Sequence, residues 1–186
     1  MLQRLCSFIL FKVMGWKENV TVKAPNKYII ALAPHTSNFD FILGILYSRA
    51  KGFRCDFLIK KEWFVWPFGG LMRRLGGIPV QRNKKTSLTD QLANVALSRK
   101  IFHLCITPEG TRKPTTQWKR GFYYISLKAR IPILLYGADY ATKTVHCTKM
   151  LCADGNVEEQ MQEIMSYYAP FTGRHPQNFI IPSELK

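Results

Sequence analysis

The sequence predicts an α/β fold, a mixed, largely parallel sheet flanked by helices on both faces, and three observations carry that expectation. Short apolar runs of strand character alternate with segments of helical period along the chain. Two of those runs end in a proline and then a turn that carries reactive side chains. The length of 186 residues and the 47% apolar content suit one domain, 1–186, with a substantial core.

The elements follow in order. Residues 1–16 read as a short, mostly apolar helix on which Gln3, Arg4 and Ser7 share a narrow polar face. The segment is below the roughly 20 apolar residues needed to span a bilayer. It has no small-residue cleavage site, and Lys12 interrupts the core a signal peptide would need. Two readings stand: a helix packed on the domain, or an interfacial helix with Trp16 and Lys17 at headgroup level. The second is slightly favoured.

Residues 28–33 form a buried strand that stops at Pro34, and 41–47 a buried helix running to the basic turn at Lys51 and Gly52. A short strand at 57–59 precedes a segment, 60–68, in which lysines alternate with aromatics. Residues 71–75 read as a helix closed by Gly76 and Gly77. The strand 78–80 is too short to be central, and Arg82 stands at its end. The clearest helix covers 87–100, with Ser87 and Asp90 as a capping box, Leu88, Leu92, Val95 and Ala96 on one face, and Arg99 and Lys100 at its negative end. A strand at 101–107, a helix at 121–129 and a strand at 131–137 follow, with 144–147 as an edge strand. The last helix, 157–168, aligns Val157, Met161, Ile164 and Tyr168, and Pro170 ends it.

The formal net charge of +15 is unevenly spread, since residues 49–130 carry eighteen basic against four acidic groups. Such a field implies an anionic partner: nucleic acid, an anionic membrane or a phosphorylated small molecule. Aromatics interleaved with lysines at 60–68 suit a lipid interface, and they also suit single-stranded nucleic acid. The five cysteines are scattered, with no zinc spacing, so no metal site is expected and reduced thiols fit best.

Chemistry concentrates at two strand ends. After the first comes His35-Thr36-Ser37-Asn38-Phe39-Asp40. The five-residue separation lets a turn fold the Asp40 carboxylate onto the His35 ring, which fixes the tautomer and strengthens the other nitrogen as a base. An N-cap aspartate beside an exposed histidine also accounts for the same residues. The second strand ends in Pro108-Glu109-Gly110-Thr111-Arg112, a tight turn with an acid, a glycine and an arginine. Glu109 reads either as a group that meets a substrate or shapes the turn, or as a helix N-terminal acid. Two such strand ends suggest one cleft. His103, His146 and His175 read as structural.

Four blocks stand in order, HTSNFD, GGIPVQR, PEGTR and IPILLYG, with KKEWF and KRGFYYIS between them. Together they resemble the glycerolipid acyltransferase family, that is, lysophosphatidate (1-acylglycerol-3-phosphate) acyltransferases and relatives, over about residues 28–137. The resemblance implies a glycerol-phosphate acyltransferase-like fold, with His35 as catalytic base and Asp40 as its orienting partner. It sets Arg82, Glu109, Gly110, Thr111 and Arg112 around the phosphate and glycerol of the acceptor. It also implies an acyl thioester, acyl-CoA or acyl-carrier protein, as co-substrate, with no bound cofactor. A lysophospholipid acceptor and a peripheral place on an anionic membrane at the cytoplasmic face follow from the same likeness. The chain departs from the pattern at Thr107 and Lys113, which flank the third block, and at Gly137 and Asp139 in the fourth. Those departures leave the acceptor open to another lysolipid or an amino-acid-derived lipid.

The residues support the chemistry on their own terms. An acyl thioester is already activated, so the reaction chiefly needs a base for the attacking hydroxyl, typically a factor of about 10²–10⁴. A guanidinium fork suits an acceptor phosphate. No G-x-S-x-G elbow occurs, so direct attack is expected rather than a serine acyl-enzyme. A basic nucleic-acid-binding module accounts for the charge but not for the two reactive turns, and the expectation is no nucleic acid. A thioesterase would use the same site with water as acceptor.

Overall fold

The computed structural model describes residues 1–60, 62, 64, 65, 68–80 and 87–185. Helix α1 (Leu2–Ser7) continues as a π-helical turn, Phe8–Val13, into strand β1 (Lys17–Val20). Then come β2 (Lys27–Ala33), α2 (Phe39–Ala50), β3 (Asp56–Lys60), α3 (Phe68–Leu75) and β4 (Gly77–Val80). The remainder is α4 (Leu88–Ser98), β5 (Phe102–Ile106), α5 (Gly121–Ala129), β6 (Ile133–Asp139), β7 (Thr144–Leu151) and α6 (Val157–Tyr168).

Among the described residues these strands form one sheet in the order β1-β7-β6-β2-β5-β3-β4. Its neighbours run parallel except β6 and β7, which are antiparallel. The expected mixed, largely parallel sheet is therefore present. Alternation along each strand sorts the core into two layers. Ile29, Ala31, Ala33, Ile133 and Leu135 face α4, α5 and α6, while Tyr28, Ile30, Leu134, Tyr136 and Ala138 face α1 and α2. All seven residues of β6 are buried, as befits a strand covered on both sides.

The local signals mostly hold. Ser87 caps α4 by accepting the Asp90 N–H at 3.1 Å. β4 is an outer strand, where the missing N–H of Pro79 costs no internal ladder bond. Arg99 differs: α4 ends at Ser98, and Arg99 turns away to pair with Asp56 at 2.6 Å. The expected edge strand at 144–147 is corrected as well. β7 runs to Leu151 and is internal, because β1 pairs along its outer side. β1 reads Lys-Glu-Asn-Val and is almost wholly exposed, so no apolar run announced it.

The N-terminal helix packs on the domain along one side. Cys6 and Leu10 are buried against α2, while Leu2, Leu5, Phe8 and Val13 are exposed. The narrow polar face is partly turned inward, with Gln3 donating to the Ala50 carbonyl at 3.3 Å. Trp16 is not at an exposed, headgroup-level position: it is 5% exposed, with its ring edge-on to Tyr140 at 5.1 Å. An indole buries a large apolar area, and the loop between α1 and β1 folds it into the core.

Candidate active site

β2, β5 and β6 are parallel neighbours, so Ala33, Ile106 and Asp139 end along the same edge of the sheet. This is where open α/β sheets hold their ligands. Three segments leave that edge side by side: the turn His35–Asp40, the turn Thr107–Arg112, and Tyr140.

Asp40 lies in the first turn of α2 and is 1% exposed. Its Oδ2 is 3.2 Å from His35 Nδ1 and accepts the Thr36 and Ser37 N–H groups at 2.8 Å each. Its Oδ1 accepts the Tyr140 hydroxyl at 2.5 Å. Burial pushes this carboxyl up, but the hydrogen bonds from His35, Tyr140 and Ser37 outweigh it and hold the group below its ordinary range. An ionised Asp40 can only accept, so Nδ1 of His35 carries the proton and Nε2 is left as the basic nitrogen. The N-cap reading of Asp40 gives way: the N-cap of α2 is Asn38, whose side chain makes no capping bond.

The second turn is closed by Gly110 N–H to Thr107 carbonyl, 3.0 Å, with Pro108 at its second position. Gly110 has φ +66°, which a side chain rarely adopts, and a Cβ there would also press on Lys119 at 3.0 Å. Glu109 is turned inward and is 4% exposed. Its Oε1 accepts the His35 backbone N–H at 2.9 Å, while Oε2 is buried without a partner among the described residues. Burial pushes this carboxyl up to about 7, against the opposing pull of the His35 N–H. The helix N-terminal reading fails because Glu109 is in a turn, well before α5. What Glu109 does here is brace the backbone of His35.

His35, Asn38, Thr107, Gly110, Thr111 and Arg112 line one cavity of about 1050 Å³. From this polar end it extends beneath α2 between apolar walls that include Ile30, Leu43, Tyr47, Tyr136 and Val145. Its lining follows α2 from Asn38 to Arg49, roughly 17 Å of helix. Arg112 is exposed and has no carboxylate partner among the described residues. The structure thus brings together His35, Asp40, Gly110, Thr111 and Arg112, with Glu109 behind His35. Arg82 lies outside the described residues.

Sequence reasoning missed Tyr140, which reaches Asp40 from 100 residues away. Its signal in the sequence is slight: a lone tyrosine three residues beyond the IPILLYG block. Only the pairing of β6 with β2 reveals it. His103 and His146 are structural, stacked on Tyr28 at 4.3 Å and on Phe171 at 4.8 Å.

The site thus holds a histidine paired with an ionised aspartate at the head of a long apolar cavity, beside an arginine that has no carboxylate partner among the described residues. The acyltransferase family profile matches residues 16–135, and the chain belongs to that family. The fold is similar to that of the 1-acyl-sn-glycerophosphate (LPA) acyltransferase PlsC from Thermotoga maritima, with a TM-score of 0.57 and 16% sequence identity. That likeness covers 92% of this chain and 79% of the other. No curated protein matches the chain in sequence.

Proposed function

We propose that this acyltransferase moves a fatty acyl group from acyl-CoA or acyl-carrier protein to the hydroxyl of a lysophospholipid such as 1-acylglycerol 3-phosphate, in phospholipid biosynthesis. The observation that carries the reading is the shared cavity: the His35–Asp40 pair, Arg112 and an apolar body all open on one space. The activity for which the Thermotoga maritima protein is named agrees with it.

The reaction follows from the chain's own groups. The acceptor hydroxyl gives its proton to His35 Nε2 as its oxygen bonds to the thioester carbonyl carbon. The C–S bond then breaks, and the imidazolium returns the proton to the departing sulfur. The products are an ester and a free thiol. Asp40 stabilises the imidazolium and holds the ring, and Tyr140 keeps Asp40 in place. The apolar body accommodates an acyl chain, and Arg112 forks onto the acceptor phosphate.

The enzyme works as a peripheral protein at the cytoplasmic face of an anionic membrane. The exposed side of α1 supports this, with Leu2, Leu5 and Phe8 beside Arg4 and Lys12. Among the described residues no helix is long and apolar enough to cross a membrane. Leu5→Glu with Phe8→Glu should weaken co-sedimentation with anionic vesicles at unchanged Tm, and unaltered co-sedimentation would defeat the membrane assignment.

Incubation with labelled acyl-CoA and a panel of lysolipids tests the reaction. A diacyl phospholipid product is expected. Free fatty acid formed equally with and without lysolipid would make the protein a thioesterase instead.

A further inference from the structure

After α6 the chain doubles back over the catalytic turn, and residues 172–175 are fastened there on both sides. The Thr172 N–H donates to Asp139 Oδ1 at 3.0 Å, and the Thr172 carbonyl accepts the Tyr140 N–H at 2.9 Å. The His175 N–H donates to Thr36 Oγ1 at 3.1 Å. Between them Gly173 is pressed so close that a Cβ would stand 2.8 Å from Thr36 and 3.1 Å from Pro34. This strap therefore has one fixed path across the segment that carries His35.

Arg174 sits on that path. Its guanidinium lies over the Phe39 ring, 4.3 Å from the centroid, and Phe39 is the residue before Asp40. This contact holds the guanidinium against the ring and uses none of its N–H donors. Arg174 is exposed and has no carboxylate partner among the described residues. Its charge reaches the Tyr140–Asp40 pair, where it opposes the burial that pushes the Tyr140 hydroxyl up. The strap is joined to the end of β6, whereas Arg112 follows β5, and β2 with His35 runs between those strands. The two arginines thus belong to opposite flanks of the base.

We infer that Arg174 is a phosphate-binding residue for one of the two reacting substrates, on the flank of His35 opposite Arg112. The inference rests on the acyl-transfer reading above, in which both the lysophospholipid and a CoA or carrier-protein donor bear phosphate. A guanidinium held against a ring, with no acid partner among the described residues, suits that anion. The alternative role is mechanical, in which the guanidinium only ties the strap to Phe39.

The test compares wild type with Arg174→Met, which keeps the apolar stem, and Arg174→Lys, which keeps the charge but not the planar fork. KM is measured for 1-acylglycerol 3-phosphate against monoacylglycerol, and for acyl-CoA against acyl-pantetheine lacking the nucleotide. Arg174→Met should raise KM about tenfold for one phosphate-bearing substrate and leave its phosphate-free analogue unchanged. Arg174→Lys should fall between. The pair that shows the contrast identifies the source of the phosphate. Equal effects on both members of each pair, or a lower Tm with unchanged KM values, would overturn the assignment. Calorimetric titration with glycerol 3-phosphate and with CoA reads binding without turnover. If wild type shows no transfer yet Arg174→Met loses affinity for one probe, the phosphate site stands and acyl transfer falls. If transfer proceeds and Arg174→Met binds both probes as wild type does, the phosphate site falls and acyl transfer stands.

Discussion

The Tyr140 hydroxyl donates to Asp40 Oδ1 at 2.5 Å, so the residue that holds His35, the proposed base, is itself oriented from the neighbouring strand end. Tyr140→Phe removes a donor from a buried carboxylate and leaves that oxygen without it. A hydrogen bond to a charged group is worth about 1.5–3 kcal/mol, so kcat should fall roughly ten- to a hundredfold with little change in either KM. Losing a bond to the charged form also raises the Asp40 pKa. A wild-type rate in a folded Tyr140→Phe protein would remove Tyr140 from the proposed set.

Glu109 makes stability depend on pH in a defined direction. Its folded-state pKa is raised to about 7, above the ordinary glutamate value near 4.3. Between those two values the folded chain keeps a proton that the unfolded chain has lost. Stability therefore falls as pH rises through that window, by roughly 3–4 kcal/mol in total, and levels off above it. Glu109→Gln retains an oxygen acceptor for the His35 N–H but cannot titrate. Melting temperatures from pH 4.5 to 8 should show this decline in wild type and its loss in Glu109→Gln. Parallel curves for the two proteins would contradict the buried, protonated carboxyl.

Arg112 has no acid to brace among the described residues, so its loss should be felt by substrate. Arg112→Lys keeps the charge and forfeits the bidentate fork. The apparent KM for a phosphate-bearing lysolipid should rise about ten- to a hundredfold, with donor KM and Tm little changed. A selective rise in donor KM would reverse the assignment of the two substrates.

Gly44 lines the cavity from α2, and a Cβ built there meets nothing within 4 Å. Gly44→Phe should therefore fill cavity space and shorten the acyl chain the enzyme prefers. Helix stability should not suffer, since glycine in a helix interior costs about 0.5–1 kcal/mol relative to alanine. Competition among acyl-CoA donors of graded length checks this, and an unchanged preference would mean the acyl chain lies elsewhere.

The periodic and apolar segments were legible because burial itself writes the pattern. β2, α2, α5, β6 and α6 all occur close to where their sequences put them, and Ser87 caps α4 as its spacing requires. β1 was not legible, because an exposed edge strand has no buried face to impose alternation. Within the site, His35 and Asp40 are linked by a local turn, so five residues suffice to propose their contact. Tyr140, Glu109 and Arg174 depend on which strands and loops become neighbours in space. Glu109 shows the limit most clearly: its position in the PEGTR block suggests a group facing substrate, yet burial behind His35 makes it a brace.

The central claim is that His35 takes the acceptor proton, and the most direct measurement is the single-turnover rate of His35→Ala with labelled acyl-CoA and lysolipid. Alongside it, donor affinity and Tm establish that the variant is folded and loaded. The rate should drop by about 10²-fold or more, with donor affinity and Tm close to wild type, and Asp40→Asn should be less severe because the base remains. A folded, donor-binding His35→Ala protein that keeps more than about a tenth of the wild-type rate would contradict the account, because general-base catalysis of the usual size could not then reside in that ring.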